Sequence, residues 1–297
     1  REVTDLAEFA DADLIVASDG INSRLRSAHA REFGTTEQTG RNYYLWLGTH
    51  KVFQSFRYAF EHTRAGWIWL HCYYLDQNRS TCIAECPPET WQALGFDQMG
   101  AEETLKSLES IFARHLDGQP LISQIQQGDT LSWLRGKQIS NATWFRGNIA
   151  LIGDAAHSTH FSIGSGTRLA LGDSVALAEA LHEYEHVPTA LKAYDARRRP
   201  MIDEVQAQAL RSMRWLEEAP KLLPAVGEGN GAGAGSTDSV QFAYAVSQRL
   251  GNRSKRWRYY LHLATQVPAL RKLRGGVTRA RRAVRVRRRG RLANRGA

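Results

Sequence analysis

Residues whose types and spacing suit ligand binding are concentrated between Asn148 and Leu181. The pattern predicts a short apolar strand (149–152), a Gly153-Asp154 turn, a glycine-rich loop with the letters GSGT, and a long Ala-rich helix. In α/β folds, a strand that leads into such a loop and helix places a ligand at its carboxyl end. The helix start adds free backbone N–H groups and a positive dipole end, which suit an anionic group. We therefore expect a ligand site here.

A second polar turn follows the apolar run DLIVAS (13–18), which has the length of a strand. Asp19 and Gly20 come directly after this run, and Ser23 and Arg26 follow closely. One interpretation is an ordinary strand-to-helix turn with Ser23 near the helix start. The other is a polar turn whose carboxylate and arginine face a charged ligand. The residues alone support both interpretations equally.

Apolar and aromatic segments with a period of two run from Tyr43 to Cys86. The short breaks between them favour an antiparallel sheet. Within 66–74, one face carries aromatic residues and His71, and the other carries mainly aliphatic residues and Cys72. Both faces are expected to be covered, and the aromatic face could pack as core or could face a planar substrate. We expect His71 to be an interior, hydrogen-bonded histidine rather than a catalytic base.

Composition excludes several classes of protein. Of the 297 residues, 42% are hydrophobic and 23% are charged, which is ordinary for a globular protein. No apolar run approaches the roughly 18 residues of a membrane span, and no secretory leader is recognisable, so we expect no membrane association. The three cysteines, Cys72, Cys82 and Cys86, predict a reduced, cytoplasmic setting. They lack a second pair of ligands, so we expect structural thiols and no metal site.

The net charge of +9 comes from one end of the chain. Residues 271–297 contain 12 Lys or Arg and no acidic residue, which leaves 27 basic and 30 acidic residues in 1–270. Such a tail could bind nucleic-acid phosphates without sequence specificity. It carries no recognisable reading motif, so nucleic-acid binding is the less favoured hypothesis.

The order of elements predicts an α/β (α+β) fold in which an antiparallel sheet is inserted into an α/β domain. Helical spacing predicts one helix over 101–116 and another over 189–218 that is interrupted at Pro200, and 131–139 is a weak strand candidate. The expected divisions are an α/β domain (1–30 with 140–185), the inserted sheet domain (31–139), a long C-terminal helix (186–226), a Gly-rich linker (227–236), a helical segment (237–270) and an Arg-rich, disordered tail (271–297).

Two motifs carry a resemblance to a known family. DGINSRLR (19–26) resembles the DG motif, and IALIGDAAH with the following GSGT resembles the GD motif, of the FAD-dependent aromatic hydroxylases, or class A flavoprotein monooxygenases. The β-rich insert between the motifs is similar to that family as well. The segments YLWLGT, AECPPETW and AYDARRRP are similar to the salicyloyl-CoA and anthraniloyl-CoA monooxygenase branch. The resemblance covers residues 10–220, approximately.

This resemblance implies an FAD-dependent monooxygenase with a truncated, Rossmann-like FAD/NAD(P)-binding domain and a substrate-binding sheet domain. It implies that NAD(P)H and O2 are co-substrates and that a flavin C4a-hydroperoxide hydroxylates a small aromatic acid, carried as a CoA or carrier thioester. The chemistry of such an enzyme belongs to the flavin, so the protein need not supply a nucleophile or a metal.

The resemblance also implies roles for particular residues. Asp154, fixed by Gly153, would hydrogen-bond the ribityl chain of FAD. Asp19, Gly20 and Arg26 would lie near the pyrophosphate and assist the approach of the nicotinamide cofactor. The backbone N–H groups that would face the pyrimidine edge of the flavin are those around Gly164, Ser165, Gly166 and Thr167. His160 in the intervening loop is the candidate for substrate contact, and a structural role fits it equally.

The sequence departs from the family pattern at two places. Phe161 stands where the GD motif usually has proline, and no G-x-G-x-x-G occurs before Asp19. That missing motif would hold the FAD pyrophosphate, so the chain is similar to a family member without its N-terminal segment. If the 297 residues are the whole product, we expect weak FAD affinity. The alternative hypothesis is then a truncated, inactive remnant that cannot hold FAD alone.

Overall fold

The computed structural model describes residues 6–123 and 131–223. The strands are β1 (Ile15–Ala17), β2 (Thr36–Thr49), β3 (Arg57–Thr63), β4 (Gly66–Tyr74), β5 (Ser80–Cys86), β6 (Leu121–Ile122), β7 (Leu134–Ser140), β8 (Phe145–Arg146) and β9 (Ile149–Leu151). The α-helices are α1 (Arg24–Ala28), α2 (Ala30–Phe33), α3 (Pro88–Ala93), α4 (Ala101–Ile111), α5 (Ala113–Leu116), α6 (Gly166–Glu183) and α7 (Val187–Leu222). Short 3₁₀ helices cover Leu6–Phe9, Gly153–Ala155 and Phe161–Ile163.

Two sheets share these strands. In the smaller sheet, β1 and β9 pair in parallel with Ala17 opposite Leu151, and β8 pairs antiparallel with β9. The larger, antiparallel sheet has the order β3-β4-β5-β2-β6, and β7 also pairs with β2. Because β2 to β7 lie between β1 and β8 in the chain, the larger sheet is an insertion into the smaller one. The structure therefore confirms the predicted mixed α/β fold with an inserted antiparallel sheet.

The aliphatic face of β4 forms a core with the helices that follow the sheet. Ile68, Leu70 and Cys72 are fully buried and belong to the same apolar cluster as Leu108 of α4 and Leu116 of α5. The period of two along β4 sends its other side chains to the opposite face. One face of the larger sheet therefore packs against helices as a conventional core, and the aromatic face does not belong to this core.

A second core joins the smaller sheet to α6 and α7. It contains Ile149 and Leu151 of β9, Leu177 of α6, and Tyr194 and Ile202 of α7. The predicted interruption at residue 200 is wrong, because α7 continues through that proline. Residues on both sides of the proline are fully buried, and this packing compensates for the one backbone hydrogen bond that proline removes.

Other elements differ from the sequence predictions in smaller ways. The predicted helix 101–116 is divided into α4 and α5 at Phe112, which leaves helical geometry at φ −102°, ψ 17°. The weak strand candidate 131–139 is confirmed as β7. All three cysteines are free and buried, as expected of structural thiols. The linker, the second helical segment and the Arg-rich tail predicted over 227–297 lie outside the described residues.

Among the described residues, no helix is both long enough and apolar enough to cross a bilayer.

The contact between α7 and β9 generates a stability prediction. The Tyr194 hydroxyl donates to the Leu151 carbonyl at 3.0 Å, and both residues are fully buried. Tyr194→Phe removes the donor and leaves a buried acceptor, so we expect the free energy of unfolding to fall by about 1–3 kcal/mol. Tyr74→Phe, on an exposed tyrosine, should change it by less than about 0.5 kcal/mol. Equal effects of both variants in urea titrations would contradict the prediction.

Candidate functional site

The two motif turns lie at the same edge of the smaller sheet. β1 ends at Ala17 opposite Leu151, the last residue of β9, and the two strands run parallel. The Asp19-Gly20 turn follows the first strand and the Gly153-Asp154 turn follows the second. The structure therefore brings both predicted carboxylates to the carboxyl end of one strand pair, where α/β folds bind ligands.

Arg26 ties these two turns together. Its Nη2 donates to the Ile21 carbonyl at 2.6 Å, and its Nη1 donates to the carbonyls of Ala155 at 3.1 Å and Asp154 at 3.4 Å. Burial lowers the pKa of this guanidinium, and nearby carboxylates oppose that shift. Arg26 thus uses its hydrogen bonds on the protein backbone, and it fixes the distance between the turns.

The Asp19 turn also begins a helix, as expected if it is an ordinary strand-to-helix turn. Asp19 Oδ2 accepts from the backbone N–H groups of Arg24 at 2.9 Å and Leu25 at 3.5 Å. Ser23 is the N-cap of α1, and its Oγ accepts from the Arg26 N–H at 3.0 Å. Gly20 has φ +80°, which a residue with a side chain rarely adopts. The structure confirms the strand-to-helix turn, and Arg26 links this turn to the second motif.

The second turn projects an exposed carboxylate. Gly153 has φ +58°, and a Cβ at that position would lie 3.1 Å from the Cβ of Ala170, so glycine suits both its backbone and its packing. Asp154 is the next residue, in the middle of the 3₁₀ turn. Partial desolvation raises the pKa of Asp154, and the charge of Asp173 acts in the same direction. The carboxylate is therefore close to water while the turn that carries it is fixed.

The start of α6 presents backbone donors without a capping side chain. Gly164 has φ +59° and turns the chain, Ser165 is the N-cap, and Gly166 is the first helical residue. The Ser165 hydroxyl donates to the Ile163 carbonyl at 3.2 Å, and its side chain makes no capping hydrogen bond to the first turn. No acidic residue occurs in that turn, which includes Thr167. These free N–H groups and the helix dipole suit an electron-rich or anionic ligand edge.

A buried aspartate that sequence analysis missed holds the second turn in place. Asp173 of α6 is fully buried and accepts from the Gly153 N–H at 3.0 Å and from His157 Nε2 at 2.7 Å. Its Oδ1 also accepts from Arg198 Nε at 3.0 Å and Nη2 at 2.7 Å. The available signal was a charged residue in the apolar stripe of a helix, in register with Leu169 and Leu177.

His160 is buried beside the larger sheet. Its Nδ1 is 2.8 Å from Ser162 Oγ, and its ring centroid is 4.2 Å from that of Phe161. A Cβ on Gly136 of β7 would lie only 2.5 Å from His160 Cδ2, so glycine at 136 makes room for the imidazole. His160, which was predicted to contact the substrate, therefore belongs to the loop before α6 and packs against the larger sheet.

That aromatic face contains a buried polar cluster. His71 Nε2 is 2.6 Å from Glu85 Oε2, and Trp69 Nε1 donates to the same oxygen at 3.2 Å. The other oxygen, Oε1, accepts from Asn42 Nδ2 at 2.8 Å. Burial would raise the pKa of Glu85, but the hydrogen bond and charge of His71, the charge of His160 and the amide of Asn42 together lower it. The structure confirms His71 as an interior, hydrogen-bonded histidine.

The site residues predicted from the sequence do not include Glu85. It is an acidic residue within the otherwise apolar strand segment STCIAEC, and that was the available signal. Within the described part of the chain, no group of three or more His, Cys, Asp or Glu side chains could hold a metal ion.

Comparison with known proteins identifies the family of this site. A family model described as an FAD binding domain matches residues 4–209. The chain belongs to this FAD-binding family. The predicted resemblance to the FAD-dependent aromatic hydroxylases is confirmed, since the two relatives described below are, by their names, a hydroxylase and a monooxygenase. The match covers both motif turns, α6 and most of α7.

Two curated relatives of this FAD-binding chain are 37% identical to it. Salicyloyl-CoA 5-hydroxylase of Streptomyces sp aligns over 225 residues, which are 73% of this chain and 43% of the relative. The 3-hydroxy-4-methyl-anthranilyl-[aryl-carrier protein] 5-monooxygenase of Streptosporangium sibiricum aligns over 212 residues, 71% of this chain and 55% of the relative. The chain therefore spans about half the length of the curated relatives that it matches.

Solved structures agree with this FAD-binding fold. PqsL of Pseudomonas aeruginosa has a TM-score of 0.53 at 19% identity, over 69% of this chain and 57% of that protein. HpxO of Klebsiella pneumoniae, solved with FAD and uric acid, has a TM-score of 0.51 at 19% identity, over 82% of this chain and 57% of that protein. At these identities the likeness concerns the fold alone.

The Asp173 contacts generate a stability prediction. Asp173→Asn removes the charge that pairs with Arg198 inside the protein, so we expect the free energy of unfolding to fall by about 3–5 kcal/mol. Asp203→Asn is the matched control, because Asp203 is exposed and its nearest contact with Arg199 is 3.9 Å. The control should change stability by less than about 0.5 kcal/mol. Chemical denaturation measures both, and equal losses would contradict the prediction.

The Glu85 carboxylate generates a prediction of pH dependence. Because folding lowers the pKa of Glu85 from its ordinary value of 4.5, the ionised carboxylate stabilises the fold above pH 4.5. That contribution is lost as the pH falls through the folded-state pKa. We expect Glu85→Gln to cost about 3–5 kcal/mol at pH 7, and the difference from wild type should shrink below pH 4.5.

Glu102→Gln is the control for this measurement. Glu102 is exposed and pairs with Lys106 one helical turn later, so its substitution should cost less than about 0.5 kcal/mol at pH 7. A difference between wild type and Glu85→Gln that stays constant from neutral pH to pH 3 in urea titrations would contradict the prediction.

Proposed function

We propose that this chain is the flavin-ring and substrate-binding part of an FAD-dependent monooxygenase that hydroxylates an aromatic acid with NAD(P)H and O2. The observation that carries the proposal is the joining of the two motif turns by Arg26 at the carboxyl end of β1 and β9. The exposed carboxylate of Asp154 and the start of α6 lie at this edge. The loop that connects them also contacts the aromatic face of the larger sheet through Phe161.

The residues of this edge fit the flavin-ring half of FAD. Asp154 would accept hydrogen bonds from the ribityl hydroxyls, because its turn is held by Asp173 and Arg26 while its side chain is exposed. The N–H groups at Gly166 and Thr167 would stabilise negative charge on the pyrimidine edge of the ring. Bound FAD would supply the redox chemistry, in which NAD(P)H would provide two electrons, one oxygen atom of O2 would enter the substrate and the other would leave as water.

Asp19 and Gly20 have a more indirect part in this proposal. The Asp19 carboxylate accepts backbone N–H groups of α1, so it shapes the turn that would approach the pyrophosphate and the nicotinamide cofactor. Arg26 would act through the same turn, because its guanidinium reaches backbone carbonyls. We propose that these residues shape the turn beside the cofactor and do not provide the main charges that bind it.

The substrate is proposed to be a small aromatic acid in thioester linkage. Two relatives act, by their names, on salicyloyl-CoA and on an anthranilyl group carried by an aryl-carrier protein. Aromatic side chains beside the loop before α6 would stack on a planar ring: Phe161 lies 4.5 Å from Tyr44 and 6.1 Å from Trp46, between ring centroids. His160 would orient the substrate from the same loop. The three free cysteines support a cytoplasmic location.

The direct test is FAD binding by the complete 297-residue chain, followed by an assay of NAD(P)H oxidation stimulated by aromatic thioesters. We expect flavin fluorescence to change on binding and Asp154→Ala to weaken FAD affinity by about tenfold, the effect of losing one or two hydrogen bonds of about 1.4 kcal/mol in total. Asp76→Asn is the control, because Asp76 lies in the β4–β5 turn and pairs with Arg79 there; this variant should bind FAD as wild type does. Absence of FAD binding to the wild-type chain would refute activity of this chain.

A further inference from the structure

An open cavity of about 550 Å³ lies at the turn between β4 and β5. It is lined by His50, which follows β2, and by the turn residues 76–79. Sites that bind small organic ligands have volumes of roughly 300–1,000 Å³. The lining residues belong neither to the two motif turns nor to the two apolar cores. The cavity is therefore large enough to hold part of a ligand, and its residues have no part in the packing of those cores.

The cavity lies at the end of the aromatic face of the larger sheet. Side chains alternate between the two faces of a strand, so Tyr73 of β4 follows His71 on this face. Thr81 of β5 is opposite Tyr73, and Arg79 is two residues farther toward the turn. The Leu75 N–H donates to the Arg79 carbonyl at 3.1 Å, so the pairing of the two chain segments extends to this residue. Arg79 is therefore in line with the aromatic face and also lines the cavity.

An aromatic wall, made of Phe56, Tyr58 and Tyr73, lies between the proposed ring site and the cavity. The Phe56 ring is nearly parallel to that of Tyr73 at 6.0 Å between centroids, and it is 5.0 Å from that of Tyr58. His71 connects the wall to the loop before α6, since its ring lies 4.8 Å from Tyr58 and 5.2 Å from Phe161. Phe56 is 52% exposed. The wall therefore offers an apolar surface, open to a ligand, that leads from Phe161 toward the cavity.

The cavity lining is polar but carries little net charge. Asp76 Oδ2 accepts from Arg79 Nε at 2.9 Å and from Nη2 at 2.7 Å, and Asp76 Oδ1 accepts from the Asn78 N–H at 2.9 Å. Within the described residues, Arg79 Nη1 and the side chains of His50, Gln77 and Asn78 make no hydrogen bond. Amide and imidazole groups both donate and accept, and arginine pairs well with phosphate. This lining suits a ligand that is rich in amides and has one anionic group near Arg79.

A phosphopantetheine arm has these properties. It carries two amides and one hydroxyl between methylene and methyl groups, and it ends in a phosphate. About thirteen bonds separate its sulfur from its phosphorus, which is the length of about four residues of extended chain, or about 15 Å. Arg79 is four residues from Ile83, which is opposite His71, so the cavity is about 13 Å from His71 at about 3.3 Å per residue. The arm is therefore long enough to connect a ring beside Phe161 with this cavity.

We propose that this cavity binds the phosphopantetheine arm of the thioester substrate. The aromatic acid lies beside Phe161, the arm crosses the aromatic wall, its amides pair with the side chains of Gln77 and Asn78, and its phosphate pairs with Arg79 Nη1. CoA and aryl-carrier proteins share this arm, so one cavity serves either kind of thioester. This inference rests on the proposed function, since it assumes that the substrate is an aromatic thioester.

The test compares two thioesters that differ in the length of the arm. S-benzoyl-4′-phosphopantetheine and S-benzoyl-N-acetylcysteamine are titrated into the full chain, and isothermal titration calorimetry gives the Kd of each. N-acetylcysteamine reproduces the first amide of the arm and is too short to reach the cavity from Phe161. For wild type, we expect the phosphopantetheine thioester to bind about tenfold more tightly than the short thioester.

Variants of the cavity assign this difference to its lining. Arg79→Gln and Asn78→Ala should each weaken binding of the phosphopantetheine thioester by about fivefold to tenfold and leave binding of the short thioester unchanged. Arg64→Gln is the matched control, because Arg64 is an exposed arginine of the β3–β4 turn, at the other end of β4. It should bind both thioesters as wild type does. Circular dichroism verifies that each variant is folded.

A third ligand, S-benzoyl-CoA, distinguishes the two sources of the arm. Tighter binding of S-benzoyl-CoA than of the phosphopantetheine thioester supports the arm site and indicates further contacts with the CoA nucleotide. Equal affinities support the arm site with contacts that end at the phosphate, as expected of an arm that continues into a carrier protein.

The outcomes separate this inference from the proposed function. If wild type binds FAD but binds the phosphopantetheine thioester no more tightly than the short one, the arm site is refuted and the flavin site stands. Equal effects of Arg79→Gln and Arg64→Gln would also refute the arm site. If the affinity depends on the arm and on Arg79 but the chain does not bind FAD, the arm site is supported and the monooxygenase function of this chain is refuted.

Discussion

The carboxylate of Asp173 joins three parts of the chain that must stay in register for the candidate site to exist. It accepts from the turn after β9 through the Gly153 N–H, from His157 in the following loop, and from Arg198 on α7. A fully buried charge is tolerated only when paired and hydrogen-bonded. The position of the Asp154 carboxylate therefore depends on the buried side chain of Asp173 and on Arg198 of α7, neither of which is proposed to contact the ligand.

The long helix α7 carries the same constraint from the smaller sheet to the larger one. Tyr194 donates to the end of β9, and Ile202, two residues beyond the proline, remains in the same core. Farther along, Gln206 donates to carbonyls of Ile139 and Ser158, and Ser212 meets Ser162 in the loop before α6. One rigid element thus fixes the aromatic sheet face relative to the loop that would hold the flavin ring.

The division of the larger sheet into two faces has a consequence for chemistry. The aliphatic face packs on helices and provides stability. The opposite face can therefore hold His71, Glu85 and a partly exposed aromatic wall beside Phe161. A polar group enclosed by aromatic rings is poorly hydrated, so a hydrogen bond or proton transfer there has a larger effect than in water.

The sequence by itself determined the fold class, the inserted sheet and the two motif turns, because periodicity and turn residues act over a few neighbouring positions. The tertiary structure decided the rest. Only the register of β4 and β5 brings His71 next to Glu85, which is fourteen residues away in the chain. Only the packing of α6 and α7 brings Arg198 to Asp173. The same packing carries α7 through Pro200, against its local preference. Buried polar partners are distant in the chain, and no local pattern specifies which of them will meet.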